Sequence, residues 1–249
     1  MNQKDYFMQM RQLFDRESST YTYLLWDKYS REAVIIDPVL EQSKRDIKLI
    51  EELDLVLGYA LETHIHADHI TGGGLLRERF GCHVAVHQNC EVACADVWLK
   101  QDDKIRFGEH TLQVLHTPGH TNTDISYLAA DRVFSGDALL IRGSGRTDFQ
   151  SGDAGQAYDS ITQKLFALPD EFPVYPAHDY NGITSTTIGE EKRCNPRLNN
   201  NQTRDGYIRI MNSMNLEKPK KIDLAVPGNQ RCGMAGSEGM INQAGESST

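Results

Sequence analysis

The chain has 249 residues, 39% hydrophobic and 24% charged, with a formal net charge of −9. That length buries a sizeable core and suits one α/β domain, while the acidic balance argues against a nucleic-acid partner, whose phosphates are met by clustered Lys and Arg. No apolar run approaches the ~18 residues of a membrane span, and the opening MNQKDYFMQMRQLF has no apolar stretch with a small-residue cleavage site, so the expectation is a cytoplasmic protein without membrane contact.

Strand and helix signals alternate along the chain. Tyr21–Trp26 and Ala33–Ile36 are apolar runs around the polar DKYSRE and predict an opening hairpin, the second strand stopping before Pro38. Ser43 to Leu53 carries Ile47, Leu49, Ile50 and Leu53 in an approximate helical stripe with Ser43 as its cap. Leu55–Leu61 is the next strand, followed at once by ETHIHADH. Ile70–Phe80 reads as a helix closed by Gly81, and His83–Val86 as a strand. Lys104–Phe107 with Thr111–Leu115, then Ile125–Leu128 with Arg132–Phe134, predict two more hairpins. A polar loop over 141–153 leads to a helix over Ala157–Leu168, then a short strand at Pro173–Tyr175 and helices near Gly189–Cys194 and Thr203–Met214. Residues 1–233 read as one domain, and the small, polar run over 234–249 as a disordered tail. The five cysteines, Cys82, Cys90, Cys94, Cys194 and Cys232, are odd in number and form no zinc pattern; all five read as structural or incidental thiols.

The chemistry concentrates in THIHADH, Thr63 to His69, directly after a strand. His64 and His66 are two apart and leave an extended segment on the same face, while Asp68 and His69 follow as the chain turns. Imidazole and carboxylate suit borderline cations, and strand ends hold such groups on a rigid support. A polar turn with coincidental histidines is the bland alternative, yet three of nine histidines fall here. Further candidates recur after strands: His120 in HTPGHT, Asp137 in FSGDAL and His178 in YPAHDY. A lone histidine after a strand is more often packing or surface. Four strand ends delivering His or Asp in this order form a joint signal.

H-x-H-x-D-H followed by His, Asp and His resembles the metallo-β-lactamase superfamily, which implies an α/β fold, the four-layer αββα sandwich, with the site at strand ends between two sheets. More narrowly, THIHADHITGG, TPGHT, GDALLIRGSGRTDFQ, YPAHDYNG, NPRL and AVPGNQRCG resemble the persulfide dioxygenases. That resemblance implies one iron(II) per chain held by His64, His120 and Asp137, with His66, Asp68, His69 and His178 around it as orienting partners. It further implies glutathione persulfide and O2 as substrates; a homodimer is the expected assembly.

Arg142 and Arg146 follow Asp137 in its loop, and their planar donors suit glutathione's carboxylates, with solvated loop arginines as the alternative. Tyr175 and Tyr180 flank His178 and are candidate substrate contacts or packing groups. Arg231 is a further substrate-binding candidate, and Cys232 a thiol at the end of the resemblance. The chief rival is glyoxalase II, a thioester hydrolase in which Asp68, His69 and His178 would bind a second metal that activates water. RGSGRTDFQ favours the dioxygenase, as do the only ~70 residues after His178, little room for the hydrolase's helical C-terminal domain. A binding protein that had lost its chemistry would be expected to lack a ligand; none is missing. The acidic balance disfavours a nuclease.

Overall fold

The computed structural model describes residues 7–234. Its first sheet runs in the order β1 (Gln9–Asp15), β2 (Thr20–Trp26), β3 (Glu32–Ile36), β4 (Val56–Leu61), β5 (His83–His87) and β6 (Val97–Leu99). The first three are antiparallel neighbours, and β3 to β6 are parallel. The second sheet is formed by β7 (Lys104–Phe107), β8 (His110–His116), β9 (Ile125–Leu128), β10 (Val133–Gly136), β11 (Pro173–Pro176) and β12 (Thr186–Thr187). Only its β10–β11 pair is parallel.

Period-2 alternation explains how the sheets stack. In β2, Tyr21, Tyr23 and Leu25 enter one core and Leu24 and Trp26 another; in β3, Val34 and Ile36 part from Ala33 and Ile35 in the same way. The first set meets Ile105, Phe107, Leu112, Val114, Tyr127 and Phe134 of the second sheet, forming the central core. The second set meets Ile50 of α1 (Ser43–Glu52) and Leu76 of α2 (Gly73–Phe80). On the other flank Leu115, Val133 and Val174 pack with α3 (Ala154–Ser160), α4 (Ile188–Cys194) and α5 (Arg204–Ser213). The result is helix, sheet, sheet, helix. Tyr23, Tyr127, Phe107 and Phe134 are fully buried between the sheets, each worth on the order of 1.5–3 kcal/mol on transfer from water.

Several expectations are corrected. Cys94 and Cys232 form a disulfide with Cα atoms 6.1 Å apart, so they are not free thiols; 138 residues separate them, and only the tertiary fold makes them neighbours. Cys82, Cys90 and Cys194 are the free cysteines. Cys90 and Cys94 sit in the irregular segment between β5 and β6. Ser43 does not cap α1, whose first turn has no side-chain cap and follows a 3-10 turn over Leu40–Gln42. The helix expected over Ala157–Leu168 begins three residues earlier, capped by Asp153 accepting from Gln156 N, and ends in a π-helical turn over Ile161–Leu165. Unexpected elements are β1, the short β6 and β12, and α6 (Ile222–Asn229), whose internal Pro227 masks the helix signal. The tail expected over 234–249 lies, apart from Met234, outside the described residues. Among these, no helix is long and apolar enough to cross a membrane.

Candidate metal centre

All four site segments leave strands at one end of the molecule. His64 to His69 follow β4, His120 follows β8, Asp137 follows β10 and His178 follows β11. Their loops are stitched across the two sheets by the backbone hydrogen bonds Ile125 N–H to Thr63 O and Tyr21 N–H to Ala177 O, and within the second sheet by Ala177 N–H to Gly136 O. One donor atom each from His64, His120 and Asp137 lies within 4.8 Å of the other two. The same holds for His66, Asp68 and His69, and for Asp37, Glu62 and His66.

The first set is oriented from behind. His64 Nδ1 lies 3.0 Å from Thr63 Oγ1, and that hydroxyl donates to Asp37 Oδ2 at 2.9 Å. The hydroxyl proton being committed, His64 Nδ1–H is the donor, and Nε2 is left with its lone pair. His120 Nδ1–H donates to Arg146 O at 2.6 Å, which again frees Nε2. Asp137 Oδ1 accepts from His178 Nδ1–H at 2.6 Å, while Oδ2 lies 3.6 Å from His120 Nε2. The loop after Asp137 closes over these groups because Gly145 N–H donates to Asp137 O; a Cβ on Gly145 would stand 2.5 Å from that oxygen and 2.8 Å from the His120 ring. A glycine is required there by contact, not merely by turning.

The electrostatics are those of a buried anion and imidazole cluster. Burial, then the neighbouring His66 and His120, push the His64 imidazole well below its ordinary range. Burial would raise the Asp137 carboxyl, but His178, His120 and His64 hold it far below the usual value. His178 is gripped at both nitrogens: Nε2 lies 3.0 Å from Asp68 Oδ2 and 3.1 Å from Thr20 Oγ1. Against the effect of burial, Asp137 and Asp68 raise its imidazole well above the ordinary range. Asp68 also binds His69 Nδ1 at 3.0 Å. Behind them, burial drives the Glu62 carboxyl up to about 8. Asp37 outweighs burial at His66 and lifts it to about 9. His66 Nε2 lies 3.1 Å from Asp37 Oδ1, while His66 Nδ1 and His69 Nε2 are buried without a hydrogen-bond partner.

His120, Asp137, Asp68 and His178 line a cavity of about 690 Å³, together with Ser144, Arg146, Tyr180, Arg197, Leu216 and Lys220. A cavity of about 740 Å³ elsewhere, among Phe7, His110, Leu128 and Phe172, holds none of these donors, so chemistry and not size selects the site. Arg146 is in the wall as expected, but its guanidinium is committed to Asp148 at 2.7 and 2.8 Å, to the Leu216 and Glu217 carbonyls and to the Phe149 ring. Arg142 must be corrected: it is not among the lining residues and binds Glu190 and Glu191 of α4 and Thr186. Its φ of +58° turns the chain between the ligand and that helix. Tyr175 is likewise withdrawn, packed on Tyr23 and Phe134 with Arg132 over its ring. Arg231 is exposed and lines no part of this cavity. Tyr180 does reach it, stacked on His178.

Residues missed in the sequence now stand out. Asp37, at the end of β3 before Pro38, holds Thr63 N and Oγ1. Asn229 accepts from Thr71 N and donates to the His66 and His69 carbonyls. Arg197 donates to Ser144 O and has no acidic partner among the described residues. Only their place in AVPGNQRCG and NPRL marked the last two.

Two facing sheets flanked by helices, with His and Asp donors at their strand ends, define a class, and the family model described as the metallo-beta-lactamase superfamily matches residues 15–178. The mouse (Mus musculus) mitochondrial persulfide dioxygenase ETHE1 is 50% identical over 228 residues, spanning 90% of this chain and 89% of its own. The crystal structure of ETHE1 from Myxococcus xanthus is 56% identical with a TM-score of 0.89, covering 91% of this chain and all (100%) of that one. Hydroxyacylglutathione hydrolase GloC of Haemophilus influenzae is 35% identical over 199 residues, spanning 71% of this chain and 91% of its own. The chain belongs to the metallo-β-lactamase superfamily and, within it, to the persulfide dioxygenase family.

Proposed function

We propose that the protein is an iron(II) persulfide dioxygenase that converts glutathione persulfide, O2 and water to glutathione and sulfite. The observation that carries this reading is the His64, His120 and Asp137 set, three donors within 4.8 Å of one another beside a cavity that bears an acid-free arginine. Two imidazoles and a carboxylate on one face fit iron(II) and leave coordination positions open. Bound there, iron(II) would supply redox chemistry and sites open to both reactants, which redox-inert zinc does not.

The chain's own groups prepare that chemistry. Thr63 and the Arg146 carbonyl fix the tautomers of His64 and His120, and His178 pins one oxygen of Asp137. With both nitrogens turned to carboxylates, His178 has no lone pair to offer a second cation. Asp68, bound to His178 and His69, therefore braces the first site from behind, and with His178 withdrawn one metal is favoured over the bridged pair of a thioester hydrolase. Arg197, and Lys220 without an ion-pair partner among the described residues, are the cations of the cavity left to receive the two carboxylates of glutathione.

Metal analysis combined with oxygen uptake tests the reading. Protein purified in air should hold close to one iron per chain, and glutathione persulfide should trigger oxygen consumption with sulfite release. Two zinc ions per chain, with hydrolysis of a glutathione thioester, would assign it to the hydrolases instead.

A further inference from the structure

The C-terminal segment is seated on the loop that carries the histidines. Asn229 at the end of α6 is buried and holds three backbone groups of that loop, the His66 and His69 carbonyls and Thr71 N–H. Gly74 N–H donates to Cys232 O at 2.9 Å. A Cβ on Gly233 would fall 1.9 Å from Thr71 O, so the two segments touch backbone to backbone. Cys232 itself has φ +54°, a left-handed conformation that a non-glycine residue holds only when its surroundings enforce it. Its N–H donates to Asn229 O in the turn that closes α6, and its sulfur is bonded to Cys94, which lies in the loop between β5 and β6.

The two sulfurs are not equally reachable. Cys232 is 1% exposed and packs with Val84, Val86 and Val92, whereas Cys94 is half-buried at the rim of the same cluster. Exchange follows access of a thiolate to a sulfur, so Cys94 is the point of attack. The surroundings suit an anion. Arg231, beside Cys232, is exposed without an ion-pair partner among the described residues, whereas Arg77, which donates to the Cys94 carbonyl, is paired with Asp96.

We propose that the Cys94–Cys232 bond is a covalent modification site for low-molecular-weight thiols, attacked at Cys94, and that its opening releases the C-terminal segment from the histidine loop. An incoming thiolate forms a new S–S bond to Cys94 Sγ as the old one breaks, and Cys232 departs as a thiolate that takes up a proton. A second thiolate then attacks the sulfur of the bound thiol, freeing Cys94 and leaving with it as a disulfide. In total two external thiols are oxidised and one protein disulfide is reduced. Cys232 lines a small cavity with His64 and Asn229, behind the donor set, and the inference does not depend on which reaction occurs at that set.

The experiment uses the metal-loaded protein and reduced glutathione. After denaturation in an alkylating agent, untreated protein should show three reactive cysteines, Cys82, Cys90 and Cys194, and dithiothreitol-treated protein all five. With glutathione, peptide mapping should find the mixed disulfide on Cys94. Hydrogen exchange over residues 63–74 should quicken, and Tm should fall by about 5–15 °C, as for a lost disulfide in a chain of this size. Cys94→Ser should start at the lower Tm and not respond to reductant. Five reactive cysteines without reductant would overturn the proposal, as would an adduct on Cys232, an unchanged exchange rate over 63–74, or an equal response of parent and Cys94→Ser.

Discussion

His120 contributes one of only three donors in its set, and its Nδ1 is already committed to Arg146 O. His120→Ala should therefore lose metal and activity together, because two remaining donors hold a cation poorly. Asp68 touches His178 and His69 and belongs to the surround. Asp68→Ala should retain much of its metal and lose rate by about 10–100-fold; metal content and turnover measured on the same samples separate the two, and equal metal loss would remove the distinction. Arginine offers a second contrast. Arg197→Ala removes a charge-assisted contact worth about 1.5–3 kcal/mol and should raise KM for glutathione persulfide by about 10–100-fold with little change in kcat. Arg142→Ala should leave KM unchanged and lower Tm, since it removes the guanidinium that pairs with the fully buried Glu191. Closeness in sequence to Asp137 singled out Arg142 and Arg146 and gave no sign of Arg197. The structure turns Arg142, at a left-handed residue, toward α4, while Arg197 arrives from a loop 60 positions beyond Asp137.

Strands with strong apolar alternation, β2 to β5 and β7 to β11, were legible to within a residue or two. β1 was not, since its half-buried edge pattern carries no clean period, and α6 was hidden by Pro227. The elements also set a pH response away from the metal. His87 at the end of β5 stacks on His116 at the end of β8, ring centroids 4.1 Å apart, so the pair ties the two sheets together. Burial, with His116 adding, lowers the His87 imidazole to about 4. Between that value and the ordinary 6.5 the unfolded chain binds a proton that the folded one does not, so stability is full above pH 6.5 and is lost as pH falls toward 4. Carboxylates such as Asp27, held low by backbone hydrogen bonds against the effect of burial, also lose stability in acid. His87→Gln should reduce, not abolish, the drop in Tm between pH 7 and pH 5. A parallel drop in parent and variant would show that His87 titrates normally.

Donors at the metal centre come from loops of both sheets, His64 from the first, His120 and Asp137 from the second. A bound ion therefore bridges the halves of the sandwich and binds the folded state alone. At 100 times its dissociation constant it adds about 2.7 kcal/mol, or roughly 5–10 °C in Tm for a chain of this size. Stripping the metal with a chelator should lower Tm by that amount, and adding iron(II) back should restore it. An unchanged Tm would mean that the three donors do not hold the ion together.

The sequence by itself marked most of the strands and the cluster of candidate His and Asp donors, because both signals are local, while the four-layer sandwich and the choice of His64, His120 and Asp137 came from the resemblance it carries. The choice of iron and persulfide rests on the same resemblance. Only the tertiary structure decided which cation faces the cavity, which carboxylate fixes the tautomer of His64, and that Cys94 and Cys232 are bonded. Those facts depend on where distant segments cross. Arg142 and Arg197, or two cysteines 138 residues apart, differ by nothing local that would tell which of them the packed sheets bring to the site.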